Sequence, residues 1–334
     1  MPPIIRRHLG RLAIVCGLGA VACGGPFPQS TFAAHSDFAD ALAGLYTHIF
    51  WLAVAVFVVV EGLLLFIIIR YRQREGAAPP PQHHGHTGLE LAWTLAPALI
   101  LMFIAVPTVR TIFATSGAPE GALRVEVIGH QWWWEYRYPD LGVVTANELH
   151  LPVGRPVAID LTSADVIHSW WTPALGGKRD AIPSRRTGIA FRPDAIGTYP
   201  GQCAEFCGTS HANMGLLTVV EPDAVFQAWV ATQRRAGVTP ARGSVEERGQ
   251  QAFQRYGCIG CHTVTGLSSA TIGPTLTHVG SRATLAGATM MNTEEHLRRW
   301  IADPPGMKPG ALMPSMRVSA DDLPALVAYL MSLQ

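Results

Sequence analysis

Residues 49–69 are apolar throughout except for Glu61. At about 1.5 Å rise per residue a helix over this stretch spans roughly 31 Å, enough to cross the hydrocarbon core of a bilayer. A second run, residues 91–109, carries no charge at all. Arg70, Arg72 and Arg74 follow the first run directly and place that end in the cytoplasm, so the two runs form a transmembrane hairpin within residues 40–113 and both long flanks lie outside. Pro97 and Pro107 should bend the second helix locally. The connecting loop, with Pro79-Pro-Pro81 and His83, His84 and His86, reads as a solvated turn in preference to a metal site. The net charge of +1 gives no case for a nucleic-acid partner.

Residues 1–25 hold Arg6, Arg7 and Arg11 ahead of an apolar run too short to span, which fits an export signal. Small residues before Cys23 fit cleavage. They also loosely fit a lipoprotein signal, with Ala20 in place of the usual Leu, so lipidation of Cys23, simple cleavage and an uncleaved segment all stay open. The six cysteines fall into three pairs, namely Cys16 and Cys23, Cys203 and Cys207, and Cys258 and Cys261. None is left over for a structural disulfide in an oxidising compartment. The two later pairs are therefore expected to be protected by metal or cofactor.

From residue 123 short alternating stretches, bounded by Pro or Gly, replace the long apolar runs. About 100 residues of this predict a Greek-key β-sandwich of cupredoxin type over 114–222. Its last loop is Cys203-Ala-Glu-Phe-Cys-Gly-Thr-Ser-His-Ala-Asn-Met214. Thiolate, imidazole and thioether together select copper, and one Cys with His and a weak Met suffices for a single blue-copper ion. The second thiol suggests a second copper bridged by both sulfurs. Each ion then needs its own imidazole. The loop supplies His211, and His168 in Asp-Val-Ile-His-Ser-Trp-Trp is the best-placed upstream candidate. A plain cysteine pair with bystander His and Met is the competing reading.

At these residues the chain resembles subunit II of haem-copper cytochrome c oxidases. The likeness rests on Cys203, Glu205, Cys207, His211 and Met214, on the segment from His168 to Arg185, and on Gly129-His-Gln-Trp-Trp-Trp-Glu-Tyr136, and it covers about residues 40–222. The resemblance implies a binuclear CuA centre in which Glu205 offers its backbone carbonyl to copper. The Glu205 carboxylate would reach a magnesium ion shared with subunit I. It further implies that Trp132 is an exposed point where electrons come in, and that Glu90 serves at the mouth of a proton pathway of subunit I. Glu61 receives no role from the resemblance. Partners would be subunit I, with haem a and the haem-copper site, subunit III, and an upstream cytochrome or respiratory complex as donor. The setting would be the bacterial inner membrane, with both metal domains on the periplasmic side.

Residues 223–243 read as a short helix and a linker. Ser244 and Glu247 form a capping box that opens a domain over 244–334. That domain carries Cys258-Ile-Gly-Cys-His262, the attachment signature of haem c, with two thiols to bond the vinyl groups and His262 to ligate iron. A thioether on the opposite side would raise the potential. Met307, Met313 and Met316 are candidates, and Met313 before Pro314 resembles the class I cytochrome c pattern. A final helix near 321–332 should pack on the first helix of the domain.

Two electron-carrying groups on one anchored chain imply an electron wire in a terminal oxidase, with oxygen reduced and protons pumped in subunit I. The corresponding subunit of a CuA-containing nitric oxide reductase would share nearly every feature. A periplasmic copper-delivery protein would have no use for a covalent haem. Residues 245–334 hold seven Lys/Arg against seven Asp/Glu, whereas 114–222 hold eight against eleven. A covalently tethered partner does not need charge steering, because the tether itself supplies a high effective concentration.

Overall fold

The computed structural model describes residues 27–73, 76, 81–82 and 84–334. The expected signal segment with Cys16 and Cys23, as well as Arg74, Pro79 and His83, lies outside the described residues. The two apolar runs are the centres of longer helices, α1 at Asp37–Arg70 and α2 at Thr87–Ala114. Their side chains, among them Phe57, Leu63, Ile69, Leu101 and Phe103, are exposed, as a lipid- or subunit-facing surface requires. α2 runs unbroken past Pro97 and Pro107. His48 Nε2 lies 3.2 Å from the Phe103 carbonyl and ties the two helices together.

α1 begins on the β-domain itself. Ser36 caps it by accepting from the Ala39 amide and donates its own hydroxyl to the Leu175 carbonyl at 2.6 Å. The Asp37 carboxylate accepts from the Arg192 amide, and Phe38 and Ala39 are buried.

The sandwich has ten strands: β1 Leu123–His130, β2 Trp133–Tyr138, β3 Val143–Ala146, β4 Glu148–Pro152, β5 Val157–Ser163, β6 His168–Trp171, β7 Arg179–Ala181, β8 Thr187–Phe191, β9 Gly197–Cys203 and β10 Gly215–Glu221. One sheet runs β3-β2-β1-β5-β8 and the other β4-β10-β9-β6-β7, with β1–β5 and β4–β10 the parallel pairs. Alternation along β1 sends Val125 and Val127 inward, and β5 does the same with Ile159 and Leu161. Trp134, Tyr136 and Trp170 are fully buried between the sheets. Because β9 and β10 are antiparallel neighbours, the loop between them, residues 204–214, is held at both ends and opens next to β6.

The stretch 223–243 is not a free linker. Its first half is helix α3, Asp223–Gln233, which buries Phe226 and Val230 against the sandwich while Trp229 stacks on His150 at 4.3 Å. The remainder is bonded along the C-terminal domain, with the Gly237 amide donating to the Thr265 carbonyl and His278 Nε2 meeting the Arg235 carbonyl. Apolar residues at helical spacing within 223–233 are the reason: they have a surface to cover.

In the C-terminal domain α4, Val245–Arg255, is capped by Ser244 as expected. It is followed by α5 Glu294–Ala302, α6 Pro304–Met307 and α7 Leu323–Ser332. α7 crosses α4 at Gly249, where a β-carbon would stand only 2.0 Å from the Ala325 carbonyl oxygen, so no other residue fits there.

Candidate functional site

β6 delivers His168 and β9 delivers Cys203, and the loop returns Cys207, His211 and Met214 to the same place. The donor atoms of His168, Cys203 and Cys207 all lie within 4.8 Å of one another. The two sulfurs are 3.8 Å apart. Each has its own imidazole: His168 Nδ1 is 3.9 Å from Cys203 Sγ and His211 Nδ1 is 3.5 Å from Cys207 Sγ. Met214 Sδ stands 3.8 Å from Cys207, and the Glu205 carbonyl oxygen 3.2 Å from Cys203. Cys203, Cys207, Met214 and His168 are buried, and neither thiol is in a disulfide. Two soft thiolates, two imidazoles and a thioether gathered in a dry pocket fit copper.

Sulfur contact with Cys207, opposed by burial, draws the Cys203 thiol down, and the same contact together with burial pushes Cys207 up. Metal binding to both sulfurs would displace the remaining thiol proton. His168 is oriented from behind: its Nε2 lies 2.8 Å from the Asp165 carboxylate, which leaves Nδ1 facing sulfur. Burial opposes protonation of His168, but Asp165 and Cys203 outweigh it and raise its pKa. Gly129 makes room for the ring, since a β-carbon there would be 2.7 Å from His168 Cδ2.

The second centre fits haem c. Cys258 and Cys261 are unpaired thiols on one 3-10 turn, Cys258–Gly260, and its cap. His262 Nδ1 is 2.8 Å from the Pro274 carbonyl. A carbonyl can only accept, so Nδ1 carries the hydrogen and Nε2 is the free donor for iron. Burial lowers the His262 pKa and keeps the ring neutral. Ile272 and Leu312, on the segments after His262 and before Met313, stay 74% and 73% exposed, as apolar walls for a macrocycle would. Met313 and Met316 are half-buried, and Met307 ends α6.

Trp132 lies between the Cys207 loop and the C-terminal domain and is not exposed as the resemblance suggested. Only 8% of it is accessible, because the segment 308–310 of the C-terminal domain lies over it. Gly310, at φ +81°, turns so closely that a β-carbon would meet Trp132 Cη2 at 3.0 Å. On its other side the indole Nε1 donates to the Cys207 carbonyl at 3.0 Å, and Gln131 Nε2 donates to the same oxygen at 2.7 Å. Trp133 stacks on His130, and Trp134 lies in the core.

Three family models match: cytochrome c oxidase subunit II, transmembrane domain, over residues 28–111; the periplasmic domain of that subunit over 143–221; and cytochrome c over 246–334. Cytochrome c oxidase subunit 2 of Alkalihalophilus pseudofirmus is 37% identical over 285 residues, covering 83% of this chain and 82% of the relative. That of Bacillus subtilis is 31% identical and covers 93% of each chain. The chain belongs to the cytochrome c oxidase subunit II family. Among solved structures, the periplasmic domain of subunit II of cytochrome oxidase of Bradyrhizobium japonicum is 34% identical, covering 35% of this chain and 97% of that one at a TM-score of 0.34.

This subunit II is membrane-anchored and carries its own cytochrome c domain. Sequence reasoning did not find Asp165, Gln131, Lys308 or Glu148. Asp165 had a signal, an acid three residues before His168. The other three act across the fold, and no local pattern marks them. Glu90 lies in the first turn of α2 and Glu61 lines the groove between the two helices. Neither touches the metal centre.

Proposed function

We propose that this chain is the electron-input subunit of a haem-copper oxidase, sitting in a bacterial inner membrane with both metal domains on the periplasmic side. Trp132, clasped between the C-terminal domain and the carbonyl of a copper-ligating cysteine, is the observation that carries this reading. Haem c and copper would supply one-electron couples, by which electrons would reach subunit I, where oxygen is reduced. The protein's part is to bind, orient and keep dry. Cys258 and Cys261 would hold the haem, and His262 and Met313 would ligate its iron. His168, Cys203, Cys207, His211, Met214 and the Glu205 carbonyl would hold a binuclear CuA centre.

A cleft of about 500 Å³ lined by Leu42, Trp171, Lys178, Gln202, Cys203 and His211 opens beside the loop, and Phe206, 75% exposed, packs edge-on to His211. This is the face offered to subunit I, where the Glu205 carboxylate would bind a shared magnesium ion. Subunit III and an upstream cytochrome or respiratory complex complete the circuit. A nitric oxide reductase would differ in its catalytic subunit, which purification of the complex identifies directly.

Two measurements test the reading. EPR of the oxidised complex should show one unpaired electron shared by two copper nuclei, and a pattern from one nucleus with one copper per chain would refute the binuclear site. Glu90→Gln should slow steady-state oxygen reduction while leaving transfer between the haem and copper domains unchanged, because Glu90 acts in proton uptake at the cytoplasmic end. Equal slowing of both would mean a structural lesion.

A further inference from the structure

The C-terminal domain meets the sandwich through two short segments, 283–287 and 308–310. Each domain pushes a charged side chain into the other's backbone. Lys308, 4% exposed, donates from Nζ to the Trp132 carbonyl at 2.6 Å and to the Ala286 carbonyl at 2.7 Å, one acceptor from each domain. Glu148 on β4, 5% exposed, accepts from the Thr284 amide at 2.8 Å, the Thr284 hydroxyl at 2.9 Å and the Ala283 amide at 3.2 Å. Between these plugs the Gly215 amide donates to the Gly287 carbonyl at 2.7 Å, and the Ser210 hydroxyl donates to the Pro309 carbonyl. Gly287, at φ +77°, has no room for a side chain, since a β-carbon would meet Lys308 Nζ at 2.8 Å and the Trp132 carbonyl at 2.9 Å.

Burying an amino group and a carboxylate is costly unless both are fully hydrogen-bonded. Separating the two domains takes the Trp132 carbonyl from Lys308 and the Ala283 and Thr284 donors from Glu148. Such groups contribute orientation more than raw affinity. The orientation they select is the one that lays Gly310 on the Trp132 ring, three residues before Met313. The packed 234–243 stretch adds a third attachment on the same domain.

We propose that Lys308 and Glu148 are positioning residues that seat the C-terminal domain on Trp132 in a single orientation, making it a fixed relay and not a carrier swinging on a tether. This rests on the electron-input reading above. The test uses the intact membrane complex with Thr284→Val, which removes one donor to Glu148, Thr284→Ser, which restores it, and Lys308→Met.

Hydrogen exchange at the Gly215 and Thr284 amides should quicken about tenfold or more in Thr284→Val and Lys308→Met, and return to the wild-type rate in Thr284→Ser. Flash-initiated transfer between the two domains should be independent of solvent viscosity in the wild type. In the weakened variants it should become slower and viscosity-dependent, with the copper EPR and haem spectra unchanged. Unaltered exchange and rate in Thr284→Val would overturn the proposal, as would viscosity dependence in the wild type. If Lys308→Met does not assemble, the Thr284 pair decides by the same readouts. A complex lacking the copper signal or covalent haem would instead overturn the functional reading itself.

Discussion

Trp132→Ala is expected to slow electron transfer from the haem domain to the copper domain by about 100-fold, the scale on which losing one positioned group costs a geometry-limited step. The indole touches both Gly310 and the Cys207 carbonyl, and alanine leaves a gap where that ring was. Reduction of the haem domain by an external donor should be unaffected, as should transfer from copper to subunit I. Flash photolysis of the intact complex, followed at the haem and copper absorption bands, separates the three steps. An unchanged inter-domain rate would mean that electrons bypass the indole, and the wire drawn here would be wrong. Because both centres lie in one chain, the rate should also be insensitive to protein concentration. A rate that rises with concentration would mean the domain serves a neighbouring molecule.

The second large effect concerns the copper ligands. His168→Ala should abolish the shared-electron EPR signal and lower the copper content, since it removes a whole imidazole from one sulfur's side of the site. Asp165→Ala should keep the signal but weaken copper retention by about 10- to 100-fold in a chelator titration, because Asp165 only orients His168. Met214→Leu should be milder still, shifting the potential while both coppers stay bound. An intact signal in His168→Ala would show that another histidine holds the metal. Asp165→Ala behaving exactly like wild type would show that Gly129 and Trp134 hold the ring without help.

Both candidate centres leave a mark in the chain because their chemistry is local. Cys258, Cys261 and His262 lie on one turn, and four of the proposed copper donors lie in one loop. The hairpin could be read for a similar reason, since a bilayer demands a long apolar run. His168 was harder, because its place beside Cys203 depends on β6 pairing with β9. Lys308 and Glu148 left no trace, since nothing in a lone Lys or Glu tells that a backbone carbonyl or amide from another domain will meet it. The short helix expected within 223–243 is there with Phe226 and Val230 buried, whereas the bonding of 235–237 along the C-terminal domain left no local mark, because it is made by backbone groups. The burial of Trp132 was not legible, because its cover, residues 308–310, comes from another domain.

The start of α1 on the sandwich, through Ser36, Asp37 and Phe38, has a mechanical result. A 34-residue helix is roughly 51 Å long, well beyond the roughly 30 Å of hydrocarbon it must cross. The excess stands above the bilayer as a rigid post, with no hinge between it and the copper ligands' scaffold. A long span answers a thinner membrane by tilting. Here the tilt of the post is also the tilt of the platform it carries, so bilayer thickness bears on how squarely the copper loop faces its acceptor.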